Sequence, residues 1–141
     1  MNPTPQVLVL DDEALVGKRL GLVLGRMGCS VEAFDNPHDA LERIAEKDFD
    51  LVVTDVVMGE VDGIQVLEQV RARCPRTKVI MITAYAMMSM ARKAMDRGAY
   101  DFVAKPFVPA EIREVVGRAA RELGFDLAAN ESDQSSRDTD R

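Results

Sequence analysis

Residues 51–63 run Leu-Val-Val-Thr-Asp-Val-Val-Met-Gly-Glu-Val-Asp-Gly. The first four side chains are apolar or β-branched, which is typical of a short buried strand, and Asp55 follows them directly. In an open α/β sheet, ligands bind in the crevice outside the carboxyl ends of the strands. A carboxylate at that edge is therefore a candidate functional group, and its chemistry depends on the residues that share the edge.

Short apolar segments alternate with longer amphipathic ones on both sides of this stretch. Strands are predicted for residues 6–10, 30–34, 50–54, 78–82 and 100–103. Helices are predicted for residues 14–27, for a segment opened by Asn36-Pro37, and for residues 64–74, 85–97 and 108–123. Strands that alternate with helices of ten or more residues imply right-handed crossovers and a parallel sheet. The predicted fold class is therefore α/β, a doubly wound (βα)5 arrangement with helices on both faces.

Length and composition limit what the chain can be. With 141 residues, 47% of them hydrophobic, it is long enough for one domain and too short for two. We expect that domain over residues 1–124, followed by a polar tail at 125–141 whose composition predicts disorder. No apolar stretch approaches the roughly 18 residues of a membrane span. Cys29, Cys74 and the single histidine, His38, offer too little material for a zinc site.

The net charge of −6 argues against a direct nucleic-acid interface, which needs a basic face to displace counterions from phosphates. No nucleic-acid partner and no membrane are expected. With no targeting segment at residues 1–6, a cytoplasmic protein is predicted.

Five polar residues follow or end the predicted strands: Asp11, Asp12, Asp55, Thr83 and Lys105. Three carboxylates about 4 Å apart would repel by about 4 kcal/mol per pair at an effective dielectric near 20, so such a cluster needs a cation. Ligands that are all oxygen suit Mg²⁺. The lysine ammonium and the threonine hydroxyl can both bind an anion. The ligand implied by this combination is a phosphoryl group.

The chain resembles the receiver domains of two-component response regulators over residues 6–123, most closely those of the nitrogen-regulator type. The residues that carry the resemblance are Asp11-Asp12, Asp55, Met58 with Asp62-Gly63, Thr83-Ala84, Gly98-Ala99 and Lys105-Pro106-Phe107. The resemblance implies a flavodoxin-like fold and a bacterial signalling protein that is a phosphoacceptor, not an enzyme in the ordinary sense.

The resemblance assigns the reacting group and its metal. It implies that Asp55 accepts a phosphoryl group from the phosphohistidine of a sensor histidine kinase or a phosphotransfer protein. It also implies that Asp12, helped by Asp11, binds the Mg²⁺ cofactor together with Asp55 and the backbone carbonyl of Val57.

The resemblance also assigns a switch. Thr83 and Lys105 match the residues that hold the transferred group, and Phe102 matches an aromatic residue that turns inward once the threonine moves. The Lys105–Pro106 peptide bond is expected to be cis. Gly59 stands where the family commonly has proline, which predicts a looser turn after the phosphoacceptor.

A downstream protein is expected to bind the face formed by residues 85–103 and 111–123, and the same face could form a homodimer. Four methionines lie in the helical part of this face: Met87, Met88, Met90 and Met95. We expect two of them, Met87 and Met95, to fill gaps in the core and the others to present an adaptable surface.

Three other functions are alternatives to a phosphoacceptor. A phosphatase of the haloacid-dehalogenase type would need a second acid two residues after Asp55, where Val57 stands. A flavin mononucleotide carrier would need a loop rich in Ser, Thr and Gly after the first strand, where Asp11-Asp12-Glu13 stands. A pseudo-receiver that is never phosphorylated and serves only as a binding module remains the alternative.

Overall fold

A computed structural model of the chain describes residues 3–58 and 61–127, apart from the side chains of Val57 and Tyr85. The elements are β1 (Gln6–Leu10), α1 (Ala14–Arg26), β2 (Ser30–Phe34), α2 (Pro37–Glu46), β3 (Leu51–Asp55), β4 (Val57–Met58), β5 (Val61–Asp62), α3 (Gly63–Arg73), β6 (Lys78–Ala84), α4 (Met88–Asp96), β7 (Asp101–Lys105) and α5 (Pro109–Glu122). A 3-10 turn, Tyr85–Met87, precedes α4. Within the described ranges, no helix combines the length and the hydropathy that a bilayer crossing requires.

Five strands form one parallel sheet in the order β2-β1-β3-β6-β7. This is the strand order of flavodoxin-like folds, in which the order reverses between β1 and β3. The predicted α/β doubly wound sandwich with five parallel strands is confirmed. All five carboxyl ends lie at one edge, so the residues that follow β1 and end β3 and β7 are neighbours.

Alternation along the strands divides the core into two clusters, because successive side chains of a strand point to opposite faces of the sheet. In β1, Leu8 and Leu10 pack in the cluster that α2, α3 and α4 cover. Val7 and Val9 pack in the cluster that α1 and α5 cover. The sheet is therefore buried on both faces, as its nearly continuous apolar strands predict.

Helix ends follow the sequence signals closely. The side chain of Asn36 accepts hydrogen bonds from the backbone N–H groups of His38 and Asp39, at 2.8 and 3.3 Å, and Pro37 occupies the first turn of α2. Gly28 and Gly98 follow α1 and α4 with φ angles of 98° and 107°, a conformation that side chains disfavour.

Three strands extend further toward the edge where the carboxyl ends meet than the sequence predicts. β3 includes Asp55, β6 continues through Thr83 to Ala84, and β7 runs to Lys105. Their ladder explains the extension, since Ala84 pairs with Lys105 at the end of both strands. Backbone pairing continues beyond the last apolar residues of these strands. The apolar pattern alone therefore places the strand ends too early.

The structure differs from the predicted elements in two further places. The predicted helix 85–97 is divided into the 3-10 turn and α4. The predicted loop after Asp55 contains a short antiparallel pair, β4 with β5, in which Val57 pairs with Asp62 and Met58 with Val61. Gly59, where a looser turn was predicted, lies outside the described residues.

Several apolar residues lie at or near the surface. Met95 is exposed because α4 turns Ala91 and Ala94 toward the core instead, so its expected gap-filling role is wrong. Val108 is exposed as the N-cap of α5. Cys74 is half-buried, whereas Cys29 is buried, and burial raises the pKa of the Cys29 thiol to about 11.

The packed chain continues past residue 124. The Phe125 N–H donates to the carbonyl of Ala120 at 3.0 Å, and the side chains of Phe125 and Leu127 pack against the core cluster under α1 and α5. These contacts extend three residues beyond the expected domain boundary. Residues 128–141, where a disordered tail was predicted, lie outside the described part of the chain.

Candidate functional site

The functional edge is built where β1, β3 and β7 end. Asp11 follows β1, Asp55 is the last residue of β3, and Lys105 is the last residue of β7. Asp55 pairs with Ile82 of β6, which places Thr83 one residue beyond it on the neighbouring strand. The Lys105–Pro106 peptide bond is cis, as expected. The sheet therefore brings together residues that are 94 positions apart in the chain.

Lys105 lies at the centre of this edge. Its Nζ lies 2.8 Å from Asp11 Oδ2, 3.0 Å from Asp55 Oδ2 and 3.2 Å from Glu13 Oε1. Asp11 is 1% exposed, and its Oδ1 accepts a hydrogen bond from the backbone N–H of Glu13 at 2.9 Å. The ammonium group thus lies within ion-pair distance of three carboxylates.

Burial and charge change the protonation equilibria of the pair. Burial raises the pKa of Asp11 above its ordinary value, although the ammonium of Lys105 opposes that effect. Burial alone would lower the pKa of Lys105, but the carboxylates of Asp11 and Asp55 outweigh it and raise that pKa. Lys105 is therefore a permanent positive charge at this site near neutral pH.

Three carboxylates form a candidate metal centre. Asp11, Asp12 and Asp55 each offer one oxygen, and these oxygens lie within 4.8 Å of one another. Asp11 is buried, Asp55 half-buried and Asp12 exposed, so the centre opens to solvent on one side. Hard oxygen donors with room for water fit Mg²⁺. The three acids and Lys105 sum to a charge of −2 when all are ionised, so a divalent cation also balances the site electrostatically.

Thr83 is beside the centre, but its hydroxyl does not donate to Asp55. The side chain is fully buried, and its hydroxyl donates to the carbonyls of Ala84 at 3.1 Å and Met87 at 3.4 Å. Phe102 is partly buried against the core cluster under α4, where Met90 also packs. The structure thus brings Asp11, Asp12, Asp55 and Lys105 together and leaves Thr83 bonded to the turn before α4.

Two residues of the site were missed as functional residues in the sequence. Glu13 directly follows Asp11-Asp12, and its carboxylate reaches Lys105. Gly63 begins α3, and a Cβ built on it would clash with the carbonyl oxygen of Asp55. Neither role is visible in a local pattern, since each depends on a contact across the fold.

Comparison with known proteins places this geometry in a family. The chain matches the family described as "Response regulator receiver domain" over residues 7–117. It is 35% identical over 116 residues to the response regulator protein PilR of Pseudomonas aeruginosa, covering 82% of this chain and 26% of PilR. It is 36% identical over 116 residues to the DNA-binding transcriptional regulator NtrC of Rhizobium meliloti, covering 82% of this chain and 24% of NtrC. The chain spans about a quarter of the length of these curated relatives.

Solved structures show the same fold. The receiver domain of NtrX from Brucella abortus superposes with a TM-score of 0.77 at 29% identity, covering 82% of this chain and 98% of that one. Full NtrX from the same organism, in complex with ADP, gives a TM-score of 0.79 at 28% identity over 85% of this chain and 28% of that one. The strand order, the clustered acids and the sequence match agree, and this chain belongs to the response regulator receiver domain family, with relatives of the nitrogen-regulator type.

Proposed function

We propose that this receiver domain accepts a phosphoryl group on Asp55 from the phosphohistidine of a sensor histidine kinase or a phosphotransfer protein. The observation that carries the proposal is the convergence on Asp55. Lys105 Nζ lies 3.0 Å from its carboxylate, and the carboxylates of Asp11 and Asp12 lie within 4.8 Å of it. Asp55 is also 13% exposed at its side chain, so a donor can reach it.

The reaction is a transfer between two nucleophiles. A carboxylate oxygen of Asp55 attacks the phosphorus, and a P–O bond forms as the P–N bond to the donor imidazole breaks. The electron pair of the broken bond stays on the imidazole nitrogen, which takes up a proton. Lys105, already ion-paired with Asp55, is placed to bind an oxygen of the transferred group.

Asp11, Asp12 and Asp55, with the backbone carbonyl of Val57 two residues after the phosphoacceptor, are the proposed Mg²⁺ ligands. When bound, Mg²⁺ supplies positive charge that offsets repulsion between the acids and an incoming phosphoryl group of about −1.5 to −2 charge. Asp11 is the buried member of this set, and its carboxylate accepts a hydrogen bond from the backbone N–H of Glu13.

The hydroxyl of Thr83 supports a switch that runs from Asp55 to α4. This hydroxyl donates a hydrogen bond to the carbonyl of Met87, the last residue of the turn that leads into α4. A phosphoryl oxygen that accepts this hydroxyl bond would release that turn and open space beside Thr83. Phe102, partly buried against the same cluster as Met90, would then rotate further inward.

The proposed output surface is the face of α4, β7 and α5, corresponding to residues 85–103 and 111–123. On this face Arg118 of α5 donates to Asp101 of β7 at 3.0 Å and to the Tyr100 hydroxyl at 3.3 Å. Because Phe102 is next to Asp101, movement of Phe102 would also change the contacts between β7 and α5. We propose that a downstream protein or a second copy of the domain binds here, in the cytoplasm.

The test is phosphotransfer from a phosphorylated donor, followed by intact-protein mass spectrometry. Wild-type protein should gain one phosphoryl group in Mg²⁺, and Asp55→Asn should gain none because the nucleophilic oxygen is lost. EDTA should abolish labelling of the wild type. Asp48→Asn is a matched control, since Asp48 is an exposed acid paired with Arg73 away from the site.

Equal labelling of Asp55→Asn and wild type would contradict the assignment of the phosphoacceptor. Absence of labelling with every donor, together with intact folding, would favour the pseudo-receiver that acts only as a binding module.

A further inference from the structure

The exposed side of α1 is basic, although the net charge of the chain is −6. Three cations and two leucines occupy positions i, i+3, i+4, i+7 and i+11 of the helix, so they share one face. These exposed residues, called the α1 stripe below, are Leu15, Lys18, Arg19, Leu22 and Arg26. The 13 residues of α1 include no acid. The stripe therefore presents positive charge beside exposed apolar side chains.

The cations of the α1 stripe have no acidic partner in the part of the chain that the structure describes. Arg19 lies over the ring of Phe107, with Cζ 5.7 Å from the ring centroid. No carboxylate of the described residues forms an ion pair with Lys18 or Arg26, in contrast to Arg43 of α2, which binds two acids. The stripe can therefore bind an acidic segment without breaking an existing ion pair.

The described part of the chain ends beside the last turn of α1. Leu127 is partly buried in the core cluster under α1 and α5. Its Cδ2 lies 3.9 Å from the position of a Cβ built on Gly28, two residues after the helix ends at Arg26. The residues that follow Leu127 therefore leave the domain near the Arg26 end of the stripe.

Residues 128–141 have the charge and the length that the α1 stripe requires of a ligand. They contain four acids and two arginines, a net charge of −2. The acids are Glu131, Asp133, Asp138 and Asp140. The helix rises about 12 Å between Arg26 and Lys18, whereas the 11 residues from Leu127 to Asp138 can span up to about 36 Å. The acids can therefore reach every cation of the stripe.

The covalent link to the domain makes weak contacts sufficient. Ion pairs at the surface are individually weak, because water and salt screen them. A segment joined to its binding surface by a short linker, however, is present there at an effective concentration in the millimolar range. Such a contact orders no core side chain, so we expect it to change the environment of α1 and to leave the stability of the domain nearly unchanged.

We propose that residues 128–141 lie along the α1 stripe, with their acids against Lys18, Arg19 and Arg26. The segment then acts as a tethered strap, and an acidic surface that approaches α1 must displace it. The proposal does not depend on phosphorylation of Asp55, because neither the stripe nor the segment contains a residue of the proposed phosphotransfer site.

Carbodiimide cross-linking of the full chain in dilute solution tests this contact. The reagent activates a carboxyl group, which the amine of a nearby lysine attacks, and an amide bond forms as the reagent leaves as a urea. Peptide mass spectrometry should find Lys18 joined to an acid of residues 128–141 within one chain. Lys93 is the internal control, because it is exposed on α4, which covers the opposite face of the sheet. It should give severalfold fewer links to this segment.

Two variants of the segment separate the effect of charge from proximity alone. Arg137→Gln with Arg141→Gln removes both positive charges and should raise the yield of Lys18 links about two- to fivefold, the range expected for an exposed ion pair. Replacing all four acids by their amides should shift the backbone amide resonances of residues 15–26. Raising the salt concentration from about 0.01 M to about 1 M, which shortens the Debye length from about 30 Å to about 3 Å, should shift the wild-type resonances in the same direction.

Several results would overturn the proposal. Equal yields of links from Lys18 and Lys93, or a yield that the arginine substitutions leave unchanged, would show that the segment has no preference for the α1 stripe. Links found only between two chains would assign the stripe to a second copy of the protein. Resonances of α1 that do not respond to replacement of the four acids would show that the stripe is free to bind a separate protein.

Discussion

The backbone at Asp55 and Val56 packs closely against the start of α3 at Gly63. The N–H of Gly63 donates to the carbonyl of Val56 at 2.6 Å. A Cβ at position 63 would clash with the Asp55 carbonyl oxygen and lie 2.8 Å from Met81 Cε. The methionine can move, but the backbone carbonyl cannot move without shifting Asp55, the proposed phosphoacceptor. Glycine is therefore required by space at the start of α3.

Gly63→Ala is expected to lower the free energy of unfolding by about 1 to 3 kcal/mol, the usual cost of overpacking. It should also slow phosphorylation of Asp55, since the strand end must shift. Urea denaturation measures the first effect and phosphotransfer the second. Gly21→Ala is the control, because its Cβ would meet only Val31 at 3.9 Å. That substitution within α1 should raise stability by about 0.5 to 1 kcal/mol.

Among the secondary-structure elements, α4 is held to the domain by little apolar area. Its buried side chains are the alanines Ala91 and Ala94, and the turn before it is tied to β6 by the hydroxyl of Thr83. Elements with few buried apolar contacts open at low free energy. A change at one hydroxyl can therefore alter the position of the whole helix.

Thr83→Ala should uncouple α4 from the site. In the wild type, fluoroberyllate with Mg²⁺ should change amide hydrogen exchange in residues 88–105, far beyond the loops next to Asp55. In Thr83→Ala the mimic should still bind, but the change in α4 and β7 should be largely lost because no hydroxyl links the phosphoryl group to the turn. Exchange that responds equally in both proteins would contradict the proposed switch.

The edge strand β2 is tied to α2 by charge. Arg43 Nε and one of its NH₂ groups donate to the two carboxylate oxygens of Glu32, at 2.7 and 3.1 Å, and Lys47 Nζ donates to the same carboxylate at 3.0 Å. These hydrogen bonds, led by that from Arg43, lower the pKa of Glu32 from 4.5 to about 2. The Glu32 side chain is 30% exposed, so solvent screens part of this effect.

Stability should therefore depend on pH through Glu32. The unfolded chain takes up the proton near pH 4.5 and the folded chain only near pH 2, so the contribution is complete above pH 4.5 and is lost as the pH falls between these values. Glu32→Gln should cost about 1 kcal/mol at pH 7 after allowance for screening. That difference from wild type should shrink below pH 4 in urea denaturation. A difference that stays constant down to pH 2 would exclude the ion pair as its source.

For the molecule as a whole, the boundary of the folded unit is set by the core cluster under α1 and α5. Phe125 and Leu127 pack at the edge of this cluster, although the sequence there already becomes polar. A chain that ends at 124 would lose both side chains and expose the part of the cluster that they cover.

Truncation after Gly124 should lower the free energy of unfolding by about 1 to 2 kcal/mol, from the partial burial of two large apolar side chains. Truncation after Leu127 should leave it unchanged if residues 128–141 form the predicted polar tail. Thermal unfolding of the three lengths checks both. Equal stability of the two truncated proteins would contradict a role for residues 125–127.

Much of this architecture could be predicted from local sequence. The buried strands, the Asn36 cap and the helix ends at Gly28 and Gly98 all follow from periodicity and backbone preference. The grouping of Asp11, Asp55 and Lys105 needed only the rule that parallel strands end at one edge.

Other features depend on contacts that no local pattern records. The strands β6 and β7 run past their apolar residues because they pair with each other. The hydroxyl of Thr83 donates to the Met87 carbonyl because the turn before α4 passes above it. In the sequence, Glu13 cannot be told from other exposed acids, because its contact with Lys105 exists only in the folded chain. Such features are set by tertiary geometry.

The most direct test of phosphotransfer to Asp55 is to identify the phosphorylated residue. After phosphotransfer in Mg²⁺, reduction with borohydride converts an aspartyl phosphate to homoserine, and peptide mass spectrometry locates it. We expect homoserine at position 55 alone, and none when EDTA is present. Homoserine at position 11 or 12, or its absence from position 55 in a sample whose intact mass shows phosphorylation, would contradict it.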